Sequence, residues 1–176
     1  LTQGNEIKQY GIFDSDGEYF EVWKVSNQKI FLDGSNVAFA SMDRGTGKPK
    51  LLHIKLVVEE LKRLRFTDIC VIADASLKHK VQVGGMLNEV KKLATYLESP
   101  ANTSADEFLI SKAKHDKCCI ISNDTFKDWK MKDAWIAENI HRIRIPFMIE
   151  GDKVTLPGIE KVIQDGAALD KGKLYS

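Results

Sequence analysis

Lys29-Ile30-Phe31-Leu32-Asp33-Gly34-Ser35-Asn36 is the stretch on which the fold turns. Ile30-Phe31-Leu32 is a short apolar run of the kind that forms a strand buried on both faces. It stops at Asp33, in a group of turn and cap formers. Outward from there the chain alternates strand and helix patterns. Residues 52–64 space their apolar side chains as a helix, and Thr67-Asp68 leads into a second strand over 69–73. A helix is predicted over 83–93, followed by a short strand over 95–97. Ser104-Ala105-Asp106-Glu107 carries a capping pattern that opens a helix over 104–114. A buried strand is predicted over 117–122, a late edge strand over 139–149 and a last short helix over 158–165, with a loose tail beyond Gly166. Such alternation argues an α/β domain with a mainly parallel central sheet. In the other direction the rhythm differs. Ile12-Phe13 and Tyr19-Phe20-Glu21-Val22 flank Asp14-Ser15-Asp16-Gly17, the pattern of a small N-terminal β-hairpin. The expected division is a hairpin extension over 1–28, a main domain over 29–165 and a C-terminal tail over 166–176.

The size and composition agree with one such domain. The chain has 176 residues, against roughly 150 per domain. Its 26 Lys and Arg against 25 Asp and Glu leave a formal charge of +1, which excludes a polycationic tail and gives no support to a strongly acidic solvating segment. Apolar residues at 43% and charged residues at 29% suffice for a real core. No run approaches the ~18 apolar residues of a membrane span, and no signal-peptide pattern opens the chain. The three cysteines, Cys70, Cys118 and Cys119, sit in strand-like apolar runs. They fit neither a disulfide framework nor a zinc site, so reduced core thiols and a cytoplasmic setting are expected.

Open parallel sheets bind ligands beyond the carboxyl ends of their strands, and two acids stand there. Asp33 follows Ile30-Phe31-Leu32, and Asp124 follows Ile120-Ile121-Ser122-Asn123. Asp106 begins a predicted helix, and Asp128 lies one turn beyond Asp124. Each has a purely structural reading: turn former, helix cap or first-turn acid. Gathered at one sheet edge, they would repel one another strongly unless a divalent cation neutralised them. Hard oxygen donors suit Mg²⁺ or Mn²⁺, and such a cluster suits metal-assisted phosphodiester hydrolysis.

Taken together, Phe31-Leu32-Asp33-Gly34-Ser35-Asn36-Val37-Ala38, Ser104-Ala105-Asp106-Glu107-Phe108 and Ile121-Ser122-Asn123-Asp124-Thr125-Phe126-Lys127-Asp128 resemble the NYN branch of PIN-like ribonucleases. The nearest likeness is to the Regnase-type catalytic domain, over about residues 29–156. The resemblance implies a three-layer PIN-like domain that uses Mg²⁺ or Mn²⁺ to cut RNA internally. It further implies Asp33, Asp106, Asp124 and Asp128 as metal-site carboxylates, with Asn36 as the supporting polar residue. There are two departures. Regnase-type proteins often carry two adjacent acids where this chain has Ala105-Asp106. They also carry a CCCH zinc finger, which these cysteines cannot build, so the likeness is to the catalytic domain alone.

Rival motifs carry less. Ile12-Phe13-Asp14-Ser15-Asp16-Gly17 resembles the nucleophile motif of haloacid-dehalogenase-type phosphatases, with Asp14 and Asp16 as the reacting acids. The residues before it are too polar for a central parallel strand, and Tyr19 returns at hairpin distance. Gly45-Thr46-Gly47-Lys48 lacks a phosphate loop's other residues, since Met42 and Pro49 stand where Gly and Ser or Thr are required. His53, His79, His115 and His141 show no ligand or triad spacing. Trp129 and Trp135 recur near helical spacing and read as core or interface, with base stacking by Trp129 as the alternative.

Any RNA contact must come from local basicity. Arg44, Lys48 and Lys50 lie in the loop after Asp33, Lys78 and Lys80 follow the second strand, and Lys127, Lys130 and Lys132 surround Asp128. As segments following strands they should share the carboxylate edge. Arg44, Lys48, Lys78, Lys80 and Lys127 are the expected phosphate contacts. The resulting expectation is a Mg²⁺- or Mn²⁺-dependent endoribonuclease acting on single-stranded or loop RNA, with homodimerisation open. The competing reading is a catalytically silent RNA- or protein-binding module on the same fold.

Overall fold

The computed structural model describes residues 7–13, 19–25, 29–40, 47–81, 84–165 and 167–172. The central sheet is built from β3 (Lys29–Asp33), β4 (Asp68–Ala73), β5 (Thr95–Glu98), β6 (Cys119–Ile121) and β7 (Arg144–Ile145). Its spatial order is β5-β4-β3-β6-β7, and every neighbouring pair is parallel. β3 lies at the centre, with Phe31 aligned to Cys70 on one side and to Ile120 on the other. That position explains its continuous apolar run, since Ile30, Phe31 and Leu32 are all buried.

The connections are α1 (Gly34–Phe39) and α2 (Leu51–Arg63), then α3 (Leu77–Lys80) and α4 (Met86–Leu93), then α5 (Ala105–Asp116), and last α6 (Lys127–Lys132) and α7 (Ala134–Ile143). Right-handed crossovers put α1, α2 and α4 on one face, because β3, β4 and β5 step one way across the sheet. The chain then jumps back past β3 to β6 and β7, which places α5 and α7 on the other face. The result is the expected three-layer α/β arrangement. α2 shows why these residues make a helix and bury it: Leu51, Ile54, Val57, Val58 and Leu61 form its buried stripe. Lys62 and Arg63 complete its last turn, complementing the dipole.

The hairpin is present as β1 (Ile7–Phe13) antiparallel to β2 (Tyr19–Val25). It belongs to a separate sheet, so the segment before Asp14 is not a strand of the parallel sheet, as the phosphatase reading would need. Asp14 and Asp16 themselves lie outside the described residues, as does Arg44. A second antiparallel pair, β8 (Met148–Glu150) with β9 (Lys153–Thr155), precedes α8 (Ile159–Asp165).

Three local expectations are corrected. The edge strand expected over 139–149 begins as the second half of α7, which runs to Ile143. Asp133 caps that helix by accepting from the Trp135 and Ile136 amides, and Ile136, Asn139, Ile140 and Ile143 form its buried face. Over that stretch only β7 and β8 are assigned as strand. The tail beyond Gly166 contains β10 (Ala167–Gly172), antiparallel to β2 as the third strand of the hairpin sheet. The helix expected over 83–93 starts at Met86, with α3 preceding it as a separate short turn of helix. Cys70, Cys118 and Cys119 are buried free thiols as expected, and burial pushes each thiol pKa up, to about 11, 12 and 12. Among the described residues no helix is long and apolar enough to cross a membrane.

Candidate active site

The chain leaves β3 toward one side of the sheet and later fills the other side with β6. The crevice between the carboxyl ends of β3 and β6 is therefore the topological switch point, where open α/β sheets bind ligands. Asp33 closes β3 and Asp124 follows β6, so both border this crevice.

Asp33 is 4% exposed, and each of its carboxylate oxygens is engaged. Oδ1 accepts from the Asn36 backbone amide at 3.1 Å, capping α1. Oδ2 accepts from Ser122 Oγ at 2.8 Å. The cap requires α1 to turn sharply against β4, which only glycine permits at position 34. A Cβ there would lie 2.8 Å from Val71 Cγ1 and 3.0 Å from the Ile72 carbonyl oxygen.

Asp124 is held from the same serine. Its backbone amide donates to Ser122 Oγ at 3.0 Å, while its Oδ1 accepts from the Phe126 amide at 2.7 Å. The loop is tied down on both sides. Asn36 Oδ1 accepts from the Asn123 amide at 2.8 Å. The Asn123 side chain exchanges two hydrogen bonds with the backbone of Phe147, at 2.9 and 3.0 Å. Arg144 Nη1 donates to the Ser122 carbonyl at 3.0 Å.

Asp106 enters from the first turn of α5, whose cap Ser104 accepts from the Glu107 amide. The Trp129 side chain on α6 lies near its carboxylate and favours the charged form. The charges acting on Asp33 are the carboxylates of Asp106 and Asp124. Burial above all, together with those like charges, pushes the Asp33 pKa up to about 6, against the lowering effect of Ser122 and Asn36. Asp106 is raised as well, by burial and then by Asp124.

Asp33, Asp106 and Asp124 thus form one electrostatic unit. Asp128 is exposed on the first turn of α6 and does not figure among the charges acting on Asp33 or Asp106. Asn36 does not project as an isolated polar group, because its side-chain oxygen anchors the loop that carries Asp124. Among the described residues no three His, Cys, Asp or Glu side chains are close enough to ligate one ion directly. The donor chemistry nevertheless fits a hard divalent cation: a buried carboxylate whose charge is opposed only by two neighbouring carboxylates gains most from a positive ion.

Of the expected basic residues, two follow β4 on α3 and three follow β6 on α6. Lys78 and Lys80 lie on α3 beyond β4; Lys78 pairs with Glu98 at 3.1 Å, and Lys80 Nζ sits 5.8 Å from the centre of the Phe39 ring on α1. Lys127, Lys130 and Lys132 are exposed on α6, and Lys48 is exposed ahead of α2. Lys62 and Arg63 are exposed on α2, as expected of a solvated face, and His53 is buried there with its pKa lowered by burial.

Ser122, Asn123 and Trp129 were not anticipated in these positions. A hydroxyl directly after a buried strand and next to an acid was the available signal for Ser122. The contacts of Asn123 and Trp129 join segments distant in sequence and leave no local trace.

Comparison with known proteins places this geometry. No curated protein matches the chain significantly in sequence. Among solved structures, the crystal structure of nuclear proteinaceous RNase P 2 (PRORP2) from A. thaliana superposes with a TM-score of 0.61 at 15% identity, over 76% of this chain. A second structure of Arabidopsis thaliana nuclear protein-only RNase P 2 gives a TM-score of 0.61 at 16% identity, over 74% of this chain. This chain spans 30% of the length of each, and at that identity the likeness is one of fold. The family model of the Zc3h12a-like ribonuclease NYN domain matches residues 26–166. The chain therefore belongs to the Zc3h12a-like ribonuclease NYN domain family, a family of RNA-cleaving nucleases.

Proposed function

We propose that this protein is a divalent-cation-dependent endoribonuclease that hydrolyses RNA phosphodiester bonds, with residues 29–165 as the nuclease unit. The observation that carries the reading is Asp33: a carboxylate buried at the switch point, gripped by Ser122 and the Asn36 amide, under the like charge of Asp106 and Asp124. Asp33, Asp106 and Asp124 would hold Mg²⁺ or Mn²⁺, with Asp128 adding negative charge at the rim. When bound, such an ion neutralises the acids, polarises the phosphodiester and lowers the pKa of a water.

The protein's own residues do the rest. Ser122 and Asn36 fix the relative placement of Asp33 and the Asp124 loop, which lowers the entropic cost of orienting these two acids. Lys48, Lys78, Lys80 and Lys127, with Arg44, would contact the RNA backbone, a sequence-independent interaction suited to single-stranded or looped substrates. The products would carry 5′-phosphate and 3′-hydroxyl ends, as the family resemblance implies.

The test is cleavage of an end-labelled single-stranded RNA with Mn²⁺ by wild type, Asp33→Asn and Asp124→Asn. Loss of cleavage in both variants, with RNA binding retained, is expected. Wild-type rates in both would sink the assignment, and binding without cleavage by the wild-type protein would favour a silent module.

A further inference from the structure

α2 and α4 pack side by side on one face of the sheet, tied by Lys55 Nζ to Glu89 Oε2 at 2.8 Å. Each runs back against the parallel strands it connects, so both helices end at the sheet edge opposite the carboxylates. Between those helix ends and the starts of β4 and β5 lies an open cleft of about 490 Å³. Its lining includes Lys62 from the last turn of α2, Lys91 and Lys92 from the last turn of α4, and Asp68, Thr95 and Tyr96 from the two strands. A lysine in a last turn complements the helix dipole, and each of these alone reads as a solvated residue. The dipole does not require two such turns to converge on one cleft.

The charge there is unbalanced. Asp68 is the acid of the lining, and Lys29, 3.7 Å away, already answers it. Glu89, close to Lys92 in sequence, is committed to Lys55. Among the described residues no carboxylate comes within ion-pair distance of Lys62, Lys91 or Lys92. Lys91 Nζ instead sits 5.7 Å from the centre of the Tyr96 ring. Three ammonium groups in one concavity repel one another, and an anion relieves that repulsion. The Thr95 and Tyr96 hydroxyls add neutral donors.

The neighbouring strand indicates which anion. β5 is the end strand of the central sheet. Thr95 and Tyr96 begin it in the cleft, and Glu98, the partner of Lys78, closes it on the carboxylate side. At about 3.3 Å per residue its two ends are roughly 10 Å apart. Lysines at both ends of so short a strand suit a polyanion that runs on, with a charge on every unit, better than one small anion.

Resting on the proposed function, we infer that this cleft is a second phosphate-binding site for the RNA substrate: Lys62, Lys91 and Lys92 hold the backbone of the strand that continues past the active site along β5.

The full chain is tested in EDTA, where no cleavage intervenes, with a labelled oligouridylate of roughly 30 nucleotides, beyond the about 4–16 that one single-strand groove covers. Fluorescence anisotropy across a salt series compares wild type with Lys62→Ala/Lys91→Ala/Lys92→Ala. Three phosphate contacts at about 0.7 each should take about 2 off the slope of log affinity against log salt, and affinity near 0.1 M salt should fall roughly ten- to a hundredfold. Lys62→Arg/Lys91→Arg/Lys92→Arg, which keeps the charge, should bind as wild type does. A second measurement needs no variant: saturating RNA should protect these three lysines of the wild type from acetylation, read by mass spectrometry. An unchanged slope in the alanine variant, an equal loss in the arginine variant, or acetylation indifferent to RNA overturns the inference and leaves the proposed function standing. Protected lysines in a wild-type protein that cleaves no RNA with Mn²⁺ overturn the proposed function and leave the cleft as an RNA site.

Discussion

The hydroxyl of Ser122 donates to Asp33 Oδ2 at 2.8 Å and accepts the Asp124 amide at 3.0 Å, so one buried side chain sets the spacing of two acids that lie far apart in sequence. Ser122 is fully buried. Ser122→Ala leaves a buried carboxylate oxygen and an amide short of a partner, at a cost of about 1.5–3 kcal/mol. For a domain of this size that corresponds to a Tm drop of roughly 3–12 °C. Cleavage should fall at least tenfold beyond what the lost stability explains. Thermal melts and single-turnover assays on the variant check this; a wild-type rate would show that the spacing does not matter.

Asp33 also makes stability depend on pH. Its pKa rises from 3.8 to about 6 on folding, chiefly through burial. A carboxyl raised in this way favours the fold while protonated. Its contribution is fully present below pH 3.8 and is lost as pH climbs through about 6. At about 1.4 kcal/mol per tenfold change in proton affinity, the loss by pH 7 is of order 3 kcal/mol. In EDTA, chemical denaturation should show the protein losing more stability between pH 5 and pH 7 than Asp33→Asn does, and Asp33→Asn should be the more stable of the two at pH 7. Equal slopes for the two proteins would refute the assignment of that penalty to Asp33. Saturating Mn²⁺ at pH 7 should restore the stability of the wild type alone.

Much of this site could be read from local pattern, and what could not has a physical reason. Asp33 and Asp124 were legible because each follows a continuous apolar run, which only a strand at the centre of a sheet needs. Asp106 was legible through its capping motif. The links between them were hidden, because Ser122 reaches Asp33, and Trp129 reaches Asp106, across separate elements. The second half of α7 was read as strand, and the cap at Asp133 was the missed signal. β10 was missed because Ala167–Gly172 has no strand-like apolar run and joins β2 through backbone hydrogen bonds.

Gly34 should tolerate no side chain. Its virtual Cβ falls 2.8 Å from Val71 Cγ1 and 3.0 Å from the Ile72 carbonyl oxygen, and that oxygen belongs to a central strand that cannot give way. Gly34→Ala forces α1 off β4, costing about 1–3 kcal/mol. Because α1 is capped by Asp33, the carboxylate moves with it, and cleavage should fall further than in an equally destabilised core variant such as Val58→Ala. Paired melts and rates for the two variants check this.

Asn36→Ala removes the acceptor for the Asn123 amide but leaves the Asp33 cap intact, since that cap uses the Asn36 backbone. The stability cost should be small, about 0.5–1.5 kcal/mol, because Asn123 remains pinned to Phe147. The Asp124 loop loses its tether to α1, so cleavage should drop roughly tenfold with RNA affinity unchanged. An affinity loss without a rate loss would make Asn36 a substrate contact rather than a tether.

The lysines at the carboxylate edge should differ in weight. Lys78 is committed to Glu98 at 3.1 Å, whereas Lys127 is exposed beside Asp128 at the start of α6. A phosphate contact to single-stranded RNA contributes about 0.7 to the slope of log affinity against log salt. Lys127→Ala should reduce that slope by about this amount and weaken binding alike for RNAs of different sequence. Lys78→Ala should change it less, because the ammonium must first leave its carboxylate partner. Fluorescence anisotropy with catalytically dead Asp33→Asn protein, across a salt series, measures both. An unchanged slope in the Lys127 variant would remove α6 from the RNA path.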